Sequence, residues 1–97
     1  MDFDAGICAV KFGASWCGPC KSLEPIMDKM KEEFSPGVKF FAVDVEEAPQ
    51  LAKTHRIRSL PTVILLRDGQ EVRRLVGAVK TDPVRKAFRD LVKDRAA

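Results

Sequence analysis

Apolar and polar residues alternate along this chain with a period that changes from block to block. Ile7 to Phe12 is nearly continuously apolar, as expected of a central strand covered on both faces, and only Lys11 interrupts it. Beyond it, Leu23, Ile26, Met27, Met30 and Phe34 recur at helical spacing. They form one apolar stripe on a helix over Lys21 to Phe34, with Lys29, Lys31, Glu32 and Glu33 mostly on the solvated side. Pro25 lies inside that helix and predicts a kink, because its ring removes a donor and crowds the carbonyl of Lys21. Pro36-Gly37 ends the helix.

Val38 to Val45 reads as a second strand, broken only by Lys39 and Asp44. Glu46-Glu47-Ala48-Pro49 opens a short helix, with acids ahead of its positive end and Pro49 near the first turn. This helix carries Leu51 and Ala52 inward and fades by His55, which reads as a surface residue. Thr62 to Leu66 is a third strand, Arg67-Asp68-Gly69-Gln70 a hairpin turn, and Glu71 to Val76 a fourth strand. Asp82 then caps a closing helix, with Pro83 at its first position and Val84, Ala87, Phe88, Leu91 and Val92 as its stripe.

The order β-α-β-α-β-β-α makes the first two strands parallel neighbours joined by a right-handed crossover. The hairpin adds an antiparallel pair on the other side, and helices cover both faces. The expected architecture is a three-layer α/β/α sandwich around a mixed four-stranded sheet. Ninety-seven residues suit a single domain, 1–97, with one core. At 45% apolar and 32% charged residues, the composition is that of an ordinary globule. The net charge of +3 is scattered among acids, which argues against nucleic-acid binding. No apolar run approaches membrane-spanning length. Met1-Asp2-Phe3-Asp4 is acidic where a signal peptide would be basic, so a reducing cytoplasm is the expected setting.

The candidate chemistry is concentrated in Trp16-Cys17-Gly18-Pro19-Cys20, between the first strand and the first helix. A C-x-x-C at a strand-to-helix junction reads as a redox dithiol. A zinc site would need two more soft ligands, and only Cys8 and His55 are on offer, neither at the spacing of a zinc knuckle. Two unrelated buried cysteines would leave the Gly-Pro between them and the Trp before them unexplained. Cys8, within an extended apolar segment, reads as a small buried hydrophobe.

Trp16-Cys17-Gly18-Pro19-Cys20-Lys21 resembles the active site of the thioredoxin family, and the resemblance spans most of the chain, from about Ile7 to Val92. Ser59-Leu60-Pro61-Thr62 resembles the loop that carries a cis-proline beside the family's disulfide. Asp68-Gly69 is similar to its hairpin turn and Val76-Gly77-Ala78 to its substrate-facing loop. The resemblance also implies the kink at Pro25. Members of the family often carry an extra strand and helix in front, whereas only about six residues precede the first strand here.

The resemblance implies a thiol-disulfide oxidoreductase that reduces protein disulfides, works as a monomer and has no bound cofactor or metal. Its electrons would come from a separate flavin reductase, and its partners would be disulfide-containing client proteins. In the first helical turn, shaped by Gly18 and Pro19, backbone amides would point at the sulfur of Cys17 and favour its thiolate by about 0.3–2 kcal/mol. Cys17, expected nearer the surface, would attack, and Cys20, one turn deeper, would resolve the mixed disulfide. Gly18 would let a substrate backbone approach, and the resemblance makes Trp16 a flat wall beside the dithiol. Pro61, donating no hydrogen bond, would leave Leu60 available to pair with an extended substrate. Leu60, Gly77 and Ala78 would complete an apolar docking rim.

Three departures from the family are visible. Lys11 stands where the family generally carries a buried acid, Ala42 replaces that acid's usual lysine partner, and Gly13 replaces a common aromatic. Glu24 follows Cys20 by one helical turn, so a carboxylate relocated to the helix and paired with Lys11 is one expectation. Exposed, independent side chains are the other. Other functions in play are a dedicated electron donor or oxidant of atypical potential, and a binding or scaffold module with little turnover.

Overall fold

The computed structural model describes residues 3–96; Met1 and Asp2 of the acidic N-terminal stretch, and Ala97, lie outside the described residues. The elements, in chain order, are β1 (Ile7–Gly13), α1 (Gly18–Phe34), β2 (Val38–Asp44), α2 (Pro49–Thr54), β3 (Thr62–Arg67), β4 (Gln70–Val76) and α3 (Thr81–Ala96). The sheet order is β2-β1-β3-β4, with β1 parallel to β2 and antiparallel to β3, and β4 antiparallel to β3. The expected mixed sheet between helical layers is therefore the fold of the chain.

Period-two alternation divides the apolar strands between two cores. Ile7 and Ala9 of β1 join Leu23, Met27 and Met30 of α1 and Val84, Phe88 and Leu91 of α3 on one face. Cys8, Val10 and Phe12 face the other way, with Ile64, Leu66 and, from α2, Leu51 and Ala52. Phe88 anchors the first core: its ring lies 5.5 Å from Phe40, stacked, and 5.4 Å from Phe34. No helix among the described residues is long and apolar enough to cross a membrane.

At the hairpin, Asp68 and Gly69 both have positive φ, 50° and 86°. Those are the conformations a type I′ turn needs to match strand twist, and Asp-Gly supplies them. Further along, the β3–β4 register jumps from Leu65↔Arg73 to Leu66↔Glu71, leaving Val72 as the extra residue of a β-bulge. Two X–Pro peptides are cis, Leu60–Pro61 and Ser35–Pro36; nothing in the sequence announces the second.

Three local expectations are corrected. The closing helix begins at Thr81, with Val84 N–H donating to the Lys80 carbonyl at 3.3 Å, so Asp82 sits in the first turn and is not the cap. Pro83 did not mark the start because any first-turn N–H lacks an intrahelical acceptor, and proline is tolerated throughout that turn. The first helix starts at Gly18, earlier than Lys21, and runs through Pro25 to Phe34. His55 is half-buried at the end of α2, its ring 5.7 Å from Phe12 and 6.2 Å from Phe3, because α2 lies on the second core.

Candidate active site

The dithiol segment is shaped by the way α1 begins. Cys17 is its N-cap, with extended backbone (φ −85°, ψ 108°), and its Sγ accepts a hydrogen bond from the Cys20 N–H at 3.2 Å. Cys17 N–H in turn donates to the Ala14 carbonyl at 3.1 Å, closing the turn that leaves β1. Pro19 occupies the first helical turn, where its missing donor costs nothing. One cap thus sets both thiols on the same side of one turn. Cys17 and Cys20 are joined as a disulfide, their Cα atoms 5.3 Å apart.

Close packing of β1 beneath the pair depends on Gly13. A Cβ there would stand 3.2 Å from Cys20 Sγ, tighter than an ordinary contact, and 3.6 Å from its Cβ. Any larger side chain at this position would require Cys20 to shift by a few tenths of an ångström.

The expectation that Cys17 lies nearer the surface is corrected: Cys17 is 4% exposed and Cys20 5%. What separates the sulfurs is the space each residue borders. Cys17 lines an open, mainly apolar groove of about 450 Å³, with Trp16, Pro19, Val45, Ile57 and Leu60. Trp16 is 68% exposed, so it walls this groove and is not part of the core. Gly18 is exposed with open space around its α-carbon. Cys20 lines a polar cavity of about 370 Å³ on the other side, with Lys11, Ser15, Glu24, Asp44 and Glu47.

Pro61 is buried, and its carbonyl accepts the Gly77 N–H at 2.8 Å. Gly77 takes φ +82°, a conformation that favours glycine. Of the expected rim, Leu60 lines the groove, which extends to Ala52 and Ile57 at the end of α2, and Gly77 meets Pro61 through its backbone. Thr62, a buried polar residue behind the proline, is satisfied by donating from Oγ1 to the Ser59 carbonyl at 2.7 Å.

Lys11 and Glu24 are brought to one cavity, yet no ion pair joins them; Glu24 is exposed and Lys11 half-buried. The expected paired carboxylate is therefore corrected. Glu24 is one turn along α1 from Cys20 and borders the same cavity, but it is exposed, and water solvates its charge there as well as a lysine would. Glu24→Gln is accordingly expected to change stability by less than about 1 kcal/mol in urea unfolding, and a larger loss would reinstate the pair.

Residues that motif reading missed are Val45, Ala52, Ile57 and Arg58 on the Cys17 side, and Asp44 and Glu47 on the Cys20 side. Ile57-Arg58, immediately ahead of Ser59-Leu60-Pro61, was the available signal. The carboxyls held below the usual range lie elsewhere: Glu33 through its hydrogen bond from Arg85, and Glu71 through its hydrogen bond from Arg74.

The thioredoxin family model matches residues 3–90. Among curated proteins, the chain is 47% identical over 73 residues to Thioredoxin H2-1 of Oryza sativa subsp. japonica, covering 75% of this chain and 52% of that one. It is 38% identical over 84 residues to Thioredoxin H-type of Fagopyrum esculentum, covering 86% and 72%. The chain spans about half the length of the rice relative and 41% of Thioredoxin M4, chloroplastic, of Arabidopsis thaliana. Among solved structures, oxidised mitochondrial thioredoxin 3 of Saccharomyces cerevisiae superposes with a TM-score of 0.82 at 33% identity, covering 91% of this chain and 81% of that one. Thioredoxin NaTrxh of Nicotiana alata gives 0.81 at 38% identity, covering 88% and 72%. With a Cys17–Cys20 disulfide capping its first helix, superposition on two solved thioredoxins and a family match over residues 3–90, this chain belongs to the thioredoxin family.

Proposed function

We propose that the chain is a thiol-disulfide oxidoreductase that reduces protein disulfides through Cys17 and Cys20. The observation that carries this reading is the Cys20 N–H directed at Cys17 Sγ, in a residue that also borders an open apolar groove. In the reduced protein that amide and the start of α1 stabilise negative charge on Cys17, making it the nucleophile. Its thiolate attacks one sulfur of a client disulfide, and the client's other sulfur leaves as a thiolate. Cys20, deprotonated in its turn, attacks the Cys17 sulfur of the mixed disulfide. The second client sulfur then leaves, two electrons have passed to the client, and Cys17–Cys20 is oxidised.

Trp16 and Leu60 hold a client segment against Cys17, Gly18 lets its backbone approach, and Pro19 shapes the turn. Pro61, with Gly77 and Ala78 beside it, borders the place where an extended client would lie. A flavoprotein of the thioredoxin-reductase type returns the electrons, and no bound cofactor is needed. The setting is a reducing compartment, the cytoplasm in the first instance. Reduction of insulin, driven first by dithiothreitol and then by such a reductase, tests the reading, and no acceleration over dithiothreitol alone would overturn it.

The reading as a dedicated donor or oxidant draws on one observation, Lys11 in the cavity bordered by Cys20. A cation there favours thiolates, hence the reduced form, and makes the couple more oxidising. Equilibration with glutathione measures that potential. Cys8 takes no part: it is fully buried in β1 on the second core, its Sγ 3.8 Å from the Ala5 carbonyl. Cys8→Ala is expected to leave insulin reduction within about twofold of the parent, since a buried cysteine behaves as a small hydrophobe. A large loss with the fold intact by circular dichroism would contradict that.

A further inference from the structure

The wall of the groove that faces Cys17 is built on an unusual backbone. At the end of α2, Ile57 N–H donates to the Ala52 carbonyl at 3.0 Å and Arg56 N–H to the Lys53 carbonyl at 3.0 Å. That is the bond pattern of a Schellman motif, which places one residue in the left-handed region and is usually closed by glycine. Here the residue is Arg56, at φ 55°. A residue with a Cβ holds that conformation only where its surroundings enforce it. Ala52 and Ile57, joined by the motif, both line the groove, as do Arg58 and Leu60 after them.

The enforcing group comes from β4. Arg74 Nη2 donates to the His55 carbonyl at 2.7 Å and Nη1 to the Arg56 carbonyl at 3.2 Å. Its Nε and Nη2 also reach the two carboxylate oxygens of Glu71, at 2.8 and 2.7 Å. In a regular strand, residues three apart point to opposite faces. The bulge at Val72 removes that opposition: Arg74 pairs with Ile64 and Glu71 with Leu66, both on the α2 side of the sheet. The bulge therefore delivers a carboxylate that fixes the guanidinium in plane, leaving its remaining N–H groups aimed at the turn. The hydrogen bond from Arg74 holds the Glu71 carboxyl below its ordinary range, against the opposing effect of burial.

We propose that Arg74 is a positioning residue for client binding: through the His55 and Arg56 carbonyls it holds the left-handed turn, and so the Ile57–Leu60 wall, in the shape that receives a client beside Cys17. This rests on the disulfide-reductase reading above. Arg74 touches neither sulfur nor client, so its loss acts on client affinity and not on sulfur exchange.

The test is insulin reduction by the parent, Arg74→Met, Arg56→Gly and the double variant, each resolved into kcat and KM. Arg74→Met is expected to raise KM about tenfold, the scale of losing charge-assisted hydrogen bonds, while kcat stays within about twofold. Arg56→Gly, which adopts the turn without enforcement, is expected to restore most of that KM in the double variant. Hydrogen exchange of the Arg56 and Ile57 amides should quicken in Arg74→Met and slow again in the double variant. If Arg74→Met does not fold, Glu71→Gln keeps the guanidinium but weakens its tether, and a KM rise of about threefold is expected. An unchanged KM, or a fall confined to kcat, overturns the proposal while leaving the reductase reading in place. A parent that reduces no insulin overturns that reading, and this inference with it.

Discussion

Cys17→Ser is expected to abolish disulfide reduction, whereas Cys20→Ser keeps the attack and accumulates a covalent mixed disulfide with the client. The asymmetry does not come from burial, since the two residues are covered almost equally. It comes from the helix cap. Cys17 Sγ receives the Cys20 amide at the start of α1 and borders the groove that admits a client, while Cys20 borders the polar cavity behind. A hydroxyl at position 17 has no accessible anion near neutral pH and so cannot begin the exchange. A hydroxyl at position 20 leaves the first step alone and removes the second nucleophile. Two measurements check this: insulin turnover, and trapping of client on the Cys20→Ser variant by non-reducing electrophoresis. In the reduced parent, iodoacetamide at neutral pH should label Cys17 first; faster labelling of Cys20 would reverse the assignment.

Phe88→Ala is expected to be the most destabilising of the substitutions considered, by about 3–5 kcal/mol, the cost of emptying a fully packed aromatic site. Phe88 is 0% exposed and its ring meets both Phe40 and Phe34, so it joins α3 to β2 and to the end of α1. Losing it removes transfer free energy, aromatic contacts and the closure of the first core together. In a domain of this size the melting temperature should fall by more than about 10 °C. Since small domains are stable by only about 5–15 kcal/mol, the variant should be marginal at best. A loss below about 1 kcal/mol in urea unfolding would mean that the surrounding side chains collapse into the space, and that Phe88 does not anchor α3.

Element identity and order were determined by local rules acting on neighbouring residues. The helical stripe of Leu23, Met27 and Met30, the continuous run through Val10 and the Asp68-Gly69 turn each announce their own structure. Trp16 to Cys20 announces the chemistry because an i, i+3 pair of thiols is itself a local feature. Their immediate contacts within one turn follow from helix geometry alone. What the sequence could not determine is which distant segments share a space. Glu24 stands one turn from Cys20 in the chain and borders the same cavity as Lys11, yet the two make no ion pair, and only the packing of α1 on the sheet sets how close they come. Gly77 N–H reaches the Pro61 carbonyl from the far end of β4, whereas the groove wall comes from the end of α2. Arg74 and Glu71 share a face only because one extra residue, Val72, enters the β3–β4 ladder, and that bulge depends on pairing between two strands. Periodicity reports on one element at a time; register, rotation and the convergence of three elements on one turn are settled only when the cores close.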